Sequence, residues 1–122
     1  MNKRILVVED HADNRAILRD LLTASGFDYL EAVAGAAGVA AAERLKPDLI
    51  LMDIQLPDLD GYEATRRIKA NPALSTTPVI AVTSYALSGD AAKARDAGCD
   101  AYVAKPFSPR QLLAKIRELL ER

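Results

Sequence analysis

The chain is poor in the residues that small folds use as staples. Its 122 residues include one cysteine, Cys99, one histidine, His11, and no tryptophan. A lone cysteine excludes an intrachain disulfide, and one thiol with one imidazole is poor material for a zinc site. Cys99 therefore reads as a small packed residue. Positive charge is not in excess: 16 Lys and Arg against 17 Asp and Glu leave a formal net charge of −1. Direct nucleic-acid binding has no electrostatic footprint here. A membrane-spanning helix needs about 18 or more consecutive apolar residues, and no such run occurs. Met1-Asn2-Lys3-Arg4 leads into an apolar run too short for a signal peptide. A cytoplasmic protein without membrane contact is expected.

What the chain does have is alternation. Ile5-Leu6-Val7-Val8, Leu49-Ile50-Leu51-Met52 and Val79-Ile80-Ala81-Val82 are short, unbroken apolar runs, suited to strands buried on both faces of a parallel sheet. Weaker runs at Tyr29-Leu30 and Ala101-Tyr102-Val103 complete five. Between them lie segments with apolar residues at helix spacing, such as Ile17, Leu18, Leu21 and Leu22, and later Leu112, Leu113, Ile116, Leu119 and Leu120. Gly26 and Gly98 stand where C-terminal caps belong, and Ser108-Pro109 offers an N-cap followed by proline at the first helical position. The segment from Gly35 to Leu45 is mostly alanine, so a helix with a thin apolar face and loose packing is expected there. Length and alternation predict one α/β domain over residues 1–122: a five-stranded parallel sheet with five helices on both faces. The flavodoxin-like strand order 2-1-3-4-5 suits five strands, and it places a ligand site beyond the carboxyl ends of strands 1 and 3.

Those strand ends are polar. Strand 1 runs into Glu9-Asp10, strand 3 into Asp53, strand 4 into Thr83-Ser84 and strand 5 into Lys105-Pro106. The fold should therefore gather three carboxylates, hydroxyls and an ammonium group at one edge. Three carboxylates so close raise one another's pKa unless a positive charge sits among them. All-oxygen ligands and open positions select a hard cation, Mg²⁺, with Mn²⁺ as the alternative. Asp58-Leu59-Asp60-Gly61 looks calcium-like, but Gly61 at position 6 of an EF-hand loop would put Leu56 at position 1, which supplies no ligand. Beside a cation, Asp53 at the end of the central strand can serve as nucleophile toward phosphorus, with Glu9 and Asp10 as metal ligands. Lys105 supplies a point charge for a phosphoryl oxygen, and Thr83 or Ser84 a hydroxyl.

Glu9-Asp10, Met52-Asp53-Ile54-Gln55-Leu56-Pro57 with Gly61 following, Thr83, and Lys105-Pro106 resemble the response-regulator receiver family from end to end. The resemblance implies phosphorylation of Asp53 by a sensor histidine kinase or a histidine phosphotransfer protein. It also implies direct metal ligation by Asp10, Asp53 and the backbone carbonyl of Gln55, with Glu9 acting through water. Thr83 and Lys105 would contact the phosphoryl group, Tyr102 would be the switch aromatic, and Lys105-Pro106 would be cis. Output would pass to a protein partner at the face of helix 4, strand 5 and helix 5, where Ala86, Ala91, Ala92 and Ala94 permit repacking. DNA-binding relatives dimerise there through paired acidic residues. Gly98-Cys99-Asp100-Ala101 keeps only the first, so a monomer is expected, with a dimer only on phosphorylation. The segment Thr83 to Asp90 looks most like stand-alone cell-fate regulators and hybrid-kinase receivers, and a stand-alone regulator is expected.

Two rivals from other classes meet specific obstacles. A haloacid-dehalogenase-type phosphatase needs a second aspartate two residues after its nucleophile, where this chain has Gln55. A flavin carrier needs a phosphate-cradling loop after strand 1, and Glu9-Asp10-His11-Ala12-Asp13 would repel the phosphate. Catalysis beyond the domain's own phosphorylation and dephosphorylation is not expected, and His11 reads as a solvent-facing residue without a role.

Overall fold

The apolar runs emerge as five parallel strands in a computed structural model that describes residues 2–84 and 90–121. In chain order the elements are β1 (Arg4–Val8), α1 (Ala12–Ala24), β2 (Asp28–Ala32), α2 (Gly35–Leu45), β3 (Leu49–Asp53) and α3 (Gly61–Ala70). They continue with β4 (Val79–Thr83), α4 (Asp90–Ala97), β5 (Ala101–Ala104) and α5 (Pro109–Leu120). The sheet order is β2-β1-β3-β4-β5, the expected one, and every pairing is parallel.

Successive side chains of a strand point to opposite faces, which explains why the central strands carry no polar residue until their ends. Ile5, Val7, Leu49, Leu51, Ile80 and Val82 meet Leu18 and Leu22 of α1 and Leu112, Ile116 and Leu119 of α5. Leu6, Val8, Ile50 and Met52 face the other way, onto Ala41 and Ala42 of α2 and Ala64 and Ile68 of α3. Ala94 of α4 packs on Ile54 and Ala81 on that same side. Each fully buried Leu or Ile contributes about 1.5–3 kcal/mol relative to exposure, so the central strands anchor the fold.

The alanine-rich α2 is not loosely packed. Gly38, Ala41 and Ala42 are buried, and a Cβ on Gly38 would lie 2.8 Å from both Val8 methyl groups. Small side chains let the helix backbone come down onto β1, so the thin apolar face reflects a short interlayer distance. Gly26 and Gly98 follow α1 and α4 with positive φ, and the Ser108 hydroxyl accepts from the Gln111 amide with Pro109 opening α5. Ala86 lies outside the described residues; α4 is described from Asp90 onward. Among the described residues no helix is long and apolar enough to cross a membrane.

Candidate functional site

Parallel register brings the polar strand ends to one edge. Val8 pairs with Met52, Asp53 with Val82 and Thr83 with Ala104, so Glu9, Asp53, Thr83 and Lys105 leave the sheet at adjacent positions. Glu9, Asp53 and Thr83 are only 2–3 % exposed, whereas Ser84 and Gln55 are exposed. Lys105 Nζ lies 2.9 Å from Glu9 Oε1 and 3.4 Å from Asp53 Oδ2. The cluster therefore already holds one positive charge, supplied by the lysine. The Lys105-Pro106 bond is cis, as the resemblance implied, and the Lys105 amide donates to the Thr83 carbonyl at 2.7 Å.

The two buried carboxyls titrate in opposite directions. Burial raises Asp53 and the neighbouring Glu9 carboxylate raises it further; the Gln55 amide, 3.0 Å from Oδ1, and Lys105 offset only part, leaving it at about 6. Burial would raise Glu9 too, but hydrogen bonds with Asp53, Lys105 and the His11 amide prevail and hold it at about 2. Lys105 is pushed down by burial and pulled up more strongly by Glu9 and Asp53, so it stays charged. Ordinary electrostatics thus divides the pair, with Glu9 ionised first and Asp53 keeping its proton longest.

Asp10 is placed differently. Its Oδ1 is buried without a hydrogen-bond partner among the described residues; His11 Nδ1 lies 3.2 Å away but outside bonding geometry. An acceptor oxygen left without a donor is costly unless a cation meets it. Oxygen atoms of Glu9, Asp10 and Asp53 and a ring nitrogen of His11 lie within 4.8 Å of one another, and the three carboxylates among them fit a hard divalent ion. The His11 ring is largely exposed, as its solvent-facing reading required.

The Asp53–Gly61 loop is fixed by features invisible to motif reading. A Cβ on Gly61 would stand 2.3 Å from the Asp53 carbonyl oxygen, and the Gly61 amide donates to the Ile54 carbonyl. Only glycine lets α3 begin so close to the end of β3. The Asp60 carboxylate caps α3 by accepting from the Glu63 amide. Asp58 reaches across to accept from the Gly35 and Ala36 amides at 2.8 and 3.1 Å, capping α2, whose own N-cap is Ala34. The calcium-like appearance of these acids comes from their work as caps. Two further residues escaped sequence reasoning: Asn14 donates to Glu9 Oε1 and Arg15 to the Glu9 carbonyl, both at 3.0 Å. Their only sequence signal is a polar pair early in α1.

Tyr102 is half-buried on β5 against the cluster of Ile54, Ala81 and Ala94. The Asp100 carboxylate accepts from the Val79 amide and from Lys69 Nζ, at 2.9 and 3.0 Å, so it is engaged within the chain. Beside the acidic cluster a cavity of about 470 Å³ opens between α1 and the Lys105–Pro109 segment, and Ser84 and Phe107 line it.

A doubly wound β2-β1-β3-β4-β5 sheet whose carboxyl edge carries an acid pair, an aspartate and a lysine defines a CheY-like, flavodoxin-type fold class. The chain belongs to the response regulator receiver domain family, whose model matches residues 5–117, and so to two-component signalling. It is 41% identical over 120 residues to the polar-differentiation response regulator DivK of Brucella ovis, covering 98% of each chain. It also resembles the receiver domain of the sensor histidine kinase PA1611 from Pseudomonas aeruginosa, solved with magnesium coordinated in its active site cleft. There the TM-score is 0.93 at 37% identity over the full length of both chains. Chemotaxis protein CheY4 of Vibrio cholerae shares the fold, with a TM-score of 0.92 at 22% identity over 98% of this chain and 99% of that one.

Proposed function

We propose that residues 1–122 form one receiver domain that accepts a phosphoryl group on Asp53 from a sensor histidine kinase or a histidine phosphotransfer protein. The observation carrying this reading is the contact of buried Asp53 with Lys105 at the sheet edge, beside Glu9 and the donor-less Asp10 oxygen. Glu9, Asp10, Asp53 and the Gln55 backbone carbonyl would hold Mg²⁺, or Mn²⁺; the similar PA1611 receiver carries magnesium in its active site cleft. When bound, the cation offsets the charge on the phosphoryl oxygens.

An Asp53 carboxylate oxygen attacks phosphorus; the bond from phosphorus to the donor imidazole nitrogen breaks, and that nitrogen keeps the electron pair and is reprotonated from solvent. Lys105 offsets part of the cost of ionising Asp53 and then meets a phosphoryl oxygen. The Thr83 hydroxyl donates to another oxygen, and exposed Ser84 lies at the approach to the site. Drawing Thr83 toward the phosphoryl group frees space toward which Tyr102 turns, and the face of α4, β5 and α5 then binds a downstream protein. With Asp100 engaged by Lys69, a hetero-partner suits this face better than a symmetric dimer, and the resting domain is a cytoplasmic monomer.

The test is direct. Acetyl phosphate with Mg²⁺ should add one phosphoryl group by mass, and EDTA or Asp53→Asn should abolish it. Labelling that survives in Asp53→Asn would overturn the assignment.

A further inference from the structure

The Glu9 peptide is gripped from both sides. Its amide donates to the Ala32 carbonyl of β2 at 3.0 Å, and its carbonyl accepts from Arg15 Nη1 of α1, also at 3.0 Å. Arg15 is anchored in turn, because its Nε lies 3.7 Å from Glu31 Oε2 on β2, and Glu31 Oε1 accepts from the Tyr29 hydroxyl at 3.0 Å. The Arg15 side chain is only 17 % exposed and its bond to the Glu9 carbonyl is partly buried, whereas Glu31 is 44 % exposed, so the Glu9 end of the clamp is the sheltered one. A planar guanidinium can serve two acceptors in fixed directions at once, whereas an ammonium on a flexible stem cannot hold both.

The next residue is Asp10, whose Oδ1 is buried without a donor. No hydrogen bond holds that oxygen, and its one near neighbour, the His11 ring 3.2 Å away, is itself largely exposed, so its position depends chiefly on the backbone that precedes it. Fixing the Glu9 peptide fixes the start of Asp10.

We propose that Arg15 is a positioning residue for divalent-cation binding: it clamps the Glu9 carbonyl against β2 so that Asp10 presents its unpartnered oxygen to the ion. The inference rests on the proposed cation site and extends it to a residue that touches neither the ion nor the phosphoryl group. Groups that orient ligands in this way typically change metal affinity by about 10–100-fold when removed.

The experiment is calorimetric titration of Mg²⁺ into the unphosphorylated full chain, with melting in EDTA as the fold control. Arg15→Ala should weaken Mg²⁺ binding about tenfold. Arg15→Lys should stay close to Arg15→Ala, Glu31→Gln should weaken binding less, and Glu31→Gln should add nothing in the Arg15→Ala background. Raising Mg²⁺ should restore the acetyl phosphate labelling rate of Arg15→Ala, as loss of a structural strut would not allow. If Arg15→Ala does not fold, Arg15→Lys and Glu31→Gln decide. Affinities within twofold of wild type, or a labelling defect that Mg²⁺ cannot rescue, would overturn the proposal. A wild-type chain that binds no Mg²⁺ would instead overturn the site reading beneath it.

Discussion

Asp53→Asn should make the cation-free protein more stable, which is unusual for a substitution at a buried polar residue. Burial and the Glu9 carboxylate move Asp53 from its ordinary 3.8 to about 6, so ionising it in the folded chain is costly. A tenfold change in proton affinity corresponds to about 1.4 kcal/mol, which sets a ceiling of about 3 kcal/mol on the gain from removing the charge. Asparagine also gives up the attraction of Lys105 while its side-chain oxygen can keep the Gln55 amide, so about 1–2 kcal/mol should remain. The sign follows from linkage. Well below pH 4, near pH 3, the group is protonated both folded and unfolded, and its charge costs nothing. Between about pH 4 and 6 the unfolded chain ionises while the folded chain resists, so wild type loses stability relative to the variant over that window, and above pH 6 the difference stays constant. Urea melts in EDTA should therefore show Asp53→Asn ahead at pH 7.5, by about half as much at pH 5, and level with wild type near pH 3. Millimolar Mg²⁺ should reverse the order by binding folded wild type more tightly. A variant less stable than wild type at pH 7.5 in EDTA would refute the reasoning and make Asp53 a structural cap.

Lys105→Met should lower stability in EDTA at pH 7.5 by about 2 kcal/mol, because Glu9 and Asp53 are then buried together without a cation; recovery below pH 6 is the check, and a pH-independent loss would contradict it. Gly61→Ala should cost about 2–3 kcal/mol and impair labelling, since the new methyl would meet the Asp53 carbonyl oxygen at 2.3 Å; chemical denaturation measures it, and an unchanged midpoint would show that the loop yields freely. Amide shifts on adding beryllofluoride with Mg²⁺ should extend to Tyr102 and α4, and changes confined to the surroundings of Asp53 would sink the output route.

The parts of the fold that were legible before the structure are those with a local cause. Unbroken apolar runs such as Leu49–Met52 announce a strand buried on both faces, and the abrupt polar residue after each run marks a strand end at the ligand edge. The same logic located Glu9, Asp10, Asp53, Thr83 and Lys105 without any distance. What stayed hidden depends on approach between segments remote in sequence. The alanines of α2 give the same pattern for loose and close packing, and only the contact of Gly38 with Val8 separates the two. Asp58 caps a helix more than twenty residues upstream, a pairing that no window of sequence contains. Arg15 resembles any arginine in the first half of an amphipathic helix until the Glu9 carbonyl is seen 3.0 Å from it.

The resting charge balance connects the site to its proposed output. Without a cation, Lys105 is the only ammonium paired with Glu9 and Asp53 among the described residues, and it lies nearer to Glu9. Under the proposed function, a phosphoryl group on Asp53 would bring new anionic oxygens to the place where Lys105 is already shared and would draw the ammonium away from Glu9. Asn14 and the His11 amide remain to satisfy the Glu9 carboxylate when it does. That shift cannot stay local, because the Lys105 amide donates to the Thr83 carbonyl while Tyr102 stands three residues earlier on the same β5 segment. Lysine, threonine carbonyl and tyrosine thus share one stretch of backbone at the junction of β4 and β5. A bias applied at Asp53 acts on the element that carries the proposed output face, and only the difference in contact energy between the two arrangements is needed to favour one over the other.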